Sequence, residues 1–388
     1  MVLKISCITM KIIKLALVFL LCISCSERNN KLVPTIDLQD SGKARVIKLS
    51  ELLDHIQIIR LETNDSILLG PDTYYLFNDN FIISIDQEKI IQFSVTGEFI
   101  RILARAGTGP EEFLRPEAFA LNVNKDLLLI YHRGDSHNIT FYDLNNGHLV
   151  KRLPTNTENL ISEILISQDS ILTIVPRFNI KYNFYYLSSS GTIIGGIAPP
   201  EAKNVGLQTS IELADNQLYY MPKEFDTLYL VNNMKLNPYC FFKVEDRFSY
   251  TNNEIGNFIY ISSIASGFMI VNKTHARIKL NPDGETFSMN ADKQTRFYIN
   301  KKDFSNFEIM DFYNDFLGFK ESTDQWDNYL NTSNGIGYIC YSSFELKQKI
   351  KDALQSDKPD DHIKKRISEL NVQISENDNP VLLIGSLK

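Results

Sequence analysis

His132, Asp135 and His137 share one short loop, Tyr131-His132-Arg133-Gly134-Asp135-Ser136-His137, and by residue type they are the best candidates in the chain to grip a divalent metal. Imidazole nitrogens and a carboxylate are competent ligands. Their spacing matches no strong metal motif, and a solvated turn of this composition is ordinary, so no metal is expected. Asp143-Leu144-Asn145-Asn146-Gly147 opens like a calcium loop, but the place of its distal glutamate is taken by Pro154. A hairpin turn accounts for the stretch better. Gly107-Thr108-Gly109 has the glycine density of a phosphate cradle. That cradle needs a helix N-terminus behind it, and here a strand follows. No Gly-x-Ser-x-Gly occurs. No catalytic residue and no cofactor are therefore expected, and any site must be assembled from loops on a scaffold.

The scaffold is visible in a phrase that returns along the chain. A β-prone pair runs into a Gly or Asn turn and a second β-run follows. It reads Phe93-Ser94-Val95-Thr96-Gly97-Glu98-Phe99, then Phe141-Tyr142-Asp143 with Gly147-His148-Leu149, Tyr185-Tyr186-Leu187 with Gly191-Thr192-Ile193, and Tyr229-Leu230-Val231 with Asn232-Asn233. A period of roughly 45 residues filled with short strands is the spacing of propeller blades. Blades one to four each offer four such runs. Blade five is expected as 258–262, 267–271, 275–280 and 286–288, and blade six is expected to begin with 307–313 and 316–320. Leu346, Ile350 and Leu354, then Ile363, Ile367 and Leu370, fall at helical spacing and predict two amphipathic helices broken near Lys358-Pro359. A last strand at 381–384 should share the final blade with 56–61 and lock the ring. The fold class is thus all-β, a six-bladed β-propeller over 49–388, with a helical insertion at about 343–370 before the closing strand. Seven blades would need one more within 245–340.

The N-terminus reads as an address. Lys4, Lys11 and Lys14 precede the apolar run Leu15 to Ile23, which is far shorter than the roughly 20 residues a membrane span needs. Small Ser24 then meets Cys25, and Ser26-Glu27-Arg28-Asn29-Asn30 is polar. The start is either Met1 or Met10. Residues 1–24 resemble a lipoprotein signal, which implies acylation of Cys25; residues 25–48 are expected to be a flexible tether. Loss of residues 1–24 removes three lysines and no acids, moving the net charge from −7 to −10. So acidic a chain is a poor nucleic-acid binder. Cys240 and Cys340 lie in apolar surroundings and favour buried free thiols over a disulfide.

Gly97-Glu98-Phe99, the loop Gly107-Thr108-Gly109-Pro110-Glu111-Glu112-Phe113 and Pro116 together resemble an NHL-type propeller repeat. The whole of 45–388 is similar to the six-bladed β-propeller lipoproteins of Gram-negative envelopes, a family without a settled function. Leu61-Glu62-Thr63, the Gly107–Phe113 loop and Asn379-Pro380-Val381-Leu382-Leu383 carry that likeness. It implies a lipid-anchored envelope protein, in the outer membrane. In the loop itself, Gly107 and Gly109 are expected to adopt positive φ, and Phe113 to wedge between neighbouring sheets.

In such a ring the loops between strands two and three of each blade share a face with the blade-to-blade crossings, and ligands favour that face. It collects Arg105, Glu112 and Arg115, then His132 and Arg133, Arg177 and Tyr182, and Lys223 and Glu224. These nine form the expected channel mouth. Five of them are Arg or Lys, a basic rim on an acidic body that would suit anionic or hydroxyl-rich ligands. The leading functional expectation is a lipid-anchored binding or interaction module for a carbohydrate, a peptide or another envelope protein. The alternative is an enzyme of lactonase, lyase or glycosidase type, which would need a metal or paired carboxylates on the ring axis. A third reading makes the helices a docking surface, provided their apolar faces are exposed.

Overall fold

A computed structural model of the chain describes residues 32–109, 112–132, 138–155, 160–166, 172–176, 182–198, 210–222, 226–246, 255–280, 287–321, 330–356 and 359–388. Thr35 to Lys388 forms one compact unit. Its strands gather into six sheets that make a six-bladed β-propeller. Blade one comprises Tyr74–Phe77, Phe81–Ile85, Lys89–Ser94 and Phe99–Arg105; blade two comprises Pro116–Asn122, Leu127–His132, Asn138–Asp143 and Leu149–Pro154. Blade three follows with Ile161–Ile166, Leu172–Pro176, Phe184–Leu187 and Ile193–Ile197, and blade four with Ser210–Ala214, Gln217–Met221, Thr227–Asn232 and Lys235–Lys243.

Blade five departs from the sequence reading. Its strands are Ile255–Ile264, Phe268–Leu280, Phe287–Asn300 and Asn306–Asn314. The two runs expected at 267–271 and 275–280 are one long strand, and 307–313 belongs here rather than to blade six. Asn272 and Thr274 look like turn residues, yet both are buried side chains within that strand. Blade six instead comprises Asn331–Ser333, Ile336–Tyr341, Val381–Leu387 and Leu53–Arg60. The closing strand does lie against the head strand, with Val381 opposite Arg60 and Leu387 opposite Leu53. The ring is shut by the two ends of the polypeptide.

Part of the expected tether is structured. Thr35–Asp37 adds a fifth, parallel strand to blade four, and Gly42–Lys48 does the same for blade five. Each segment is polar overall but buries a single aliphatic side chain or two, Ile36 with Leu38 and then Ile47. Main-chain pairing with an otherwise open outer edge supplies the rest. Arg45 reinforces the second strand, pairing with Glu51 at 2.8 Å while its guanidinium lies 3.9 Å from the Phe307 ring centre. A short turn of helix, α1 (Leu49–Leu52), then leads into blade six.

The two expected helices are present as α2 (Ser343–Gln355) and α3 (Asp361–Gln373). Ser342 caps α2 by accepting from the Glu345 N–H, and Asp360 caps α3 by accepting from the Ile363 N–H. Leu346, Ile350, Ala353, Ile367 and Leu370 are buried in one core with Ile47, Phe312, Phe319 and Leu383. Those apolar faces pack between blades five and six, while Phe344 on α2 and Val372 on α3 stay exposed. Cys240 and Cys340 are free thiols, and burial pushes both to higher pKa, away from reactive thiolate.

Candidate functional site

The first-to-second blade crossing is built as a closed loop. The Ala106 N–H donates to the Glu88 carbonyl, so crossing and strand-two-to-three turn lie on one face. Phe113 is buried at 1% exposure among Ile83, Leu103, Leu128 and Tyr142, the expected wedge between blades. The expected positive φ at Gly107 and Gly109 does not occur. The approach is close at Gly107 instead, where an added Cβ would meet the Glu112 carboxylate, the movable end of an exposed side chain. That carboxylate folds back on its own loop and accepts from the Gly109 N–H at 2.7 Å.

The expected mouth residues are therefore partly absorbed by this architecture. Glu112 holds its own loop. His132 is 5% exposed, and its Nδ1 accepts from the Leu114 N–H at 3.4 Å. Arg115 stands at φ +41° with its guanidinium 3.6 Å from Glu117. Arg105 ends the outer strand of blade one, its carbonyl accepting from Phe113. Tyr182 packs its ring on Gly196 in blade three. Arg133, Arg177, Lys223 and Glu224 lie outside the described residues, as do Cys25 and the Asp135-to-His137 portion of the His-Asp-His loop.

The ring axis holds a different group. A cavity of about 460 Å³ is lined by the first strand of every blade, through Tyr74, Phe119, Glu163, Glu212, Tyr260 and Asn331. Glu163 and Glu212 occupy equivalent places, each the third residue of its strand. The pairing register slips between Ile161 and Glu163, and again between Ile261 and Ser263, so a β-bulge re-aims each of these inner strands. In blade five the bulge turns two consecutive residues, Ser262 and Ser263, onto the cavity. Farther along, Asn272 and Arg296 face each other across blade five and line the same space.

Both glutamates face water in the lumen and are nonetheless enclosed by the ring. Enclosure raises the Glu163 carboxyl to about 7. It raises Glu212 to about 8, with the charge of Glu163 as the second cause. No hydrogen bond or ion pair from another described residue reaches either carboxyl. Because the folded pKa values lie above the unfolded value of 4.5, the folded chain holds more protons than the unfolded chain across this range. Stability contributed by these groups is present below that value and is lost as pH rises to about 8. Thermal melts should therefore show a midpoint that declines over this window, and Glu212→Gln should flatten the decline. An unchanged slope would show that the carboxyls are solvated as in the unfolded chain.

Sequence reading placed the site on the rim and missed this pair. The signal was present: each glutamate stands in a short apolar strand, Ile161-Ser162-Glu163-Ile164 and Ile211-Glu212-Leu213, at the start of its blade.

A family model described as a domain of unknown function, DUF4934, matches residues 33–386. No curated protein matches the sequence. Among known structures, a protein of Bacteroides fragilis described as exported superposes with a TM-score of 0.66 at 15% identity, over 91% of this chain and 100% of that one. BamB from Moraxella catarrhalis gives 0.40 at 10% identity, over 74% and 86%. A Bacteroides caccae protein of unknown function gives 0.38 at 8%, over 62% and 83%. The first of these supports the propeller fold alone; the other two are too distant to carry an argument.

Proposed function

The chain belongs to the DUF4934 family, and from that premise we propose that it is a lipid-anchored envelope propeller whose central cavity binds a small carbohydrate or peptide. The observation that carries this reading is the single cavity reached by all six inner strands, which mixes aromatic faces with a few polar groups. Its volume suits a small ligand, and its walls include the inner strand of every blade. The Lys-rich, apolar and Ser24-Cys25 segments of the N-terminus support acylation at Cys25 and an outer-membrane location. The exported description of the Bacteroides fragilis protein is in keeping with that location. An NHL-like repeat is retained for the Gly97-to-Pro116 stretch.

Glycan and peptide arrays probed with the full-length protein in detergent test the binding role. A hit should weaken at least about tenfold in Tyr74→Ala or Asn272→Leu, because both side chains line the cavity. Hits that ignore both substitutions would move the site elsewhere.

A second reading, an enzyme of lyase or glycosidase type, draws on one specific feature: two enclosed carboxyls in one cavity, both raised by burial. Two carboxyls on one cavity are the minimum such chemistry needs, one to donate and one to accept a proton. It requires bound saccharides to be cleaved, and Glu163→Gln to abolish cleavage while binding survives.

A further inference from the structure

We infer that the central cavity recognises a ligand carrying an ammonium group, seated between Glu163 and Glu212, with hydroxyl groups turned toward Ser263 and Asn272. The inference rests on the binding role proposed for the cavity and names the chemistry that role would select, an amino sugar or other amine-bearing polyol.

Two independent observations converge. The first is the carboxyl pair itself. Glu163 and Glu212 enter the cavity from adjacent blades at the same strand position. Each lacks a partner among the described residues, and the charge that registers at Glu212 is the like charge of Glu163. An enclosed carboxylate pair without a counter-ion is costly, and a cation entering between them relieves both the desolvation and the repulsion. Arg296 is the one cation among the described cavity residues; it is itself partnered, and its charge registers at neither glutamate. The remaining titratable groups on the described walls are tyrosines: Tyr74, Tyr75, Tyr260 and Tyr338.

The second observation is a set of unanswered polar atoms. Asn272 and Ser263 are each 2% exposed, yet Asn272 Oδ1 and Ser263 Oγ have no hydrogen-bond partner among the described residues. Both residues line the cavity. Buried polar atoms are nearly always satisfied, and leaving two open in one cavity points to a guest that supplies donors. The walls add Tyr74, 57% exposed, with its ring 5.2 Å from that of Phe119. Aromatic faces beside carboxylates are the surroundings an organic ammonium prefers over a bare metal ion.

The test compares glucamine with sorbitol, two polyols matched except for the ammonium, by calorimetry on the full-length protein in detergent. Glucamine should bind at least about tenfold more tightly than sorbitol, since a close charge pair is at stake. Its affinity should rise between about pH 6 and about pH 8, with protons released to the buffer on binding. Glu163→Gln removes a charge from an enclosed site, so the variant should fold at least as well. It should lose the preference for glucamine, bringing the affinities of the two polyols together; Glu212→Gln provides a second, independent check. Equal binding of the two polyols would overturn the inference and leave the cavity a neutral polyol seat. Binding of neither would also overturn it, and array hits that still depend on Tyr74 or Asn272 would show the binding role itself intact. Calcium binding that requires both glutamates, without glucamine binding, would replace it with a metal site.

Discussion

Asn379→Ala should lower the unfolding free energy by about 3–5 kcal/mol, among the largest losses available from a single polar side chain in this chain. Asn379 is 3% exposed and sits just before the closing strand. Its amide nitrogen donates to the carbonyls of Glu62 at 2.7 Å and Ile67 at 3.0 Å, while its Oδ1 accepts from the Leu69 N–H at 2.8 Å. Its own N–H donates to Thr63 Oγ1 at 2.8 Å. One side chain therefore satisfies three main-chain groups on the segment that leaves the head strand, more than 300 residues earlier in sequence. Alanine would strand those groups at roughly 1–3 kcal/mol each, with some of the cost recovered by water. Asn379→Asp is the harsher variant: it keeps the acceptor for Leu69 but sets a buried carboxylate oxygen against the Glu62 and Ile67 carbonyls, and should cost at least as much as alanine. Chemical denaturation with an unchanged m-value would confirm a stability effect. A loss below about 1 kcal/mol would mean that strand pairing alone closes the ring.

That contact also explains why the closure was legible in the sequence. Leu61-Glu62-Thr63 and Asn379-Pro380-Val381 stand out as motifs because they are the two halves of one clasp. The blades were legible for a similar reason. Short apolar runs punctuated by Gly and Asn turns leave few alternatives, and Gly97, Gly147 and Gly191 do occupy positive φ in their hairpins. The strands at 35–37 and 42–48 were not legible, since a parallel edge strand that buries only one aliphatic residue looks like a linker. Blade five was misread at Asn272-Lys273-Thr274, where polar residues are buried inside a continuous strand. The misreading and the candidate site coincide there. Local sequence rules fail where a chain gives up packing to place polar groups, so an inner strand interrupted by Glu, Ser or Asn marks the cavity more reliably than a rim rich in Arg.

Phe113→Ala should cost about 3–5 kcal/mol, the usual range for emptying a well-packed aromatic site. The ring is fully buried between blades one and two, against Ile85, Ile90, Leu121 and Ile130, all themselves buried. Neighbouring blades meet mainly through side chains, because among the described residues no main-chain ladder joins one sheet to the next. A wedge from the crossing loop thus fills space that neither sheet can reach by itself, and rigid strands on both sides limit collapse into the void. Phe113→Leu keeps most of the volume and should cost only about 1 kcal/mol. Helix α2 supplies a contrast. Phe344 on α2 is equally large but 63% exposed, so Phe344→Ser should change stability by less than about 0.5 kcal/mol. If Phe113→Ala proved as mild as Phe344→Ser, the crossing loop would be a passive connection, and blades one and two would hold together without it.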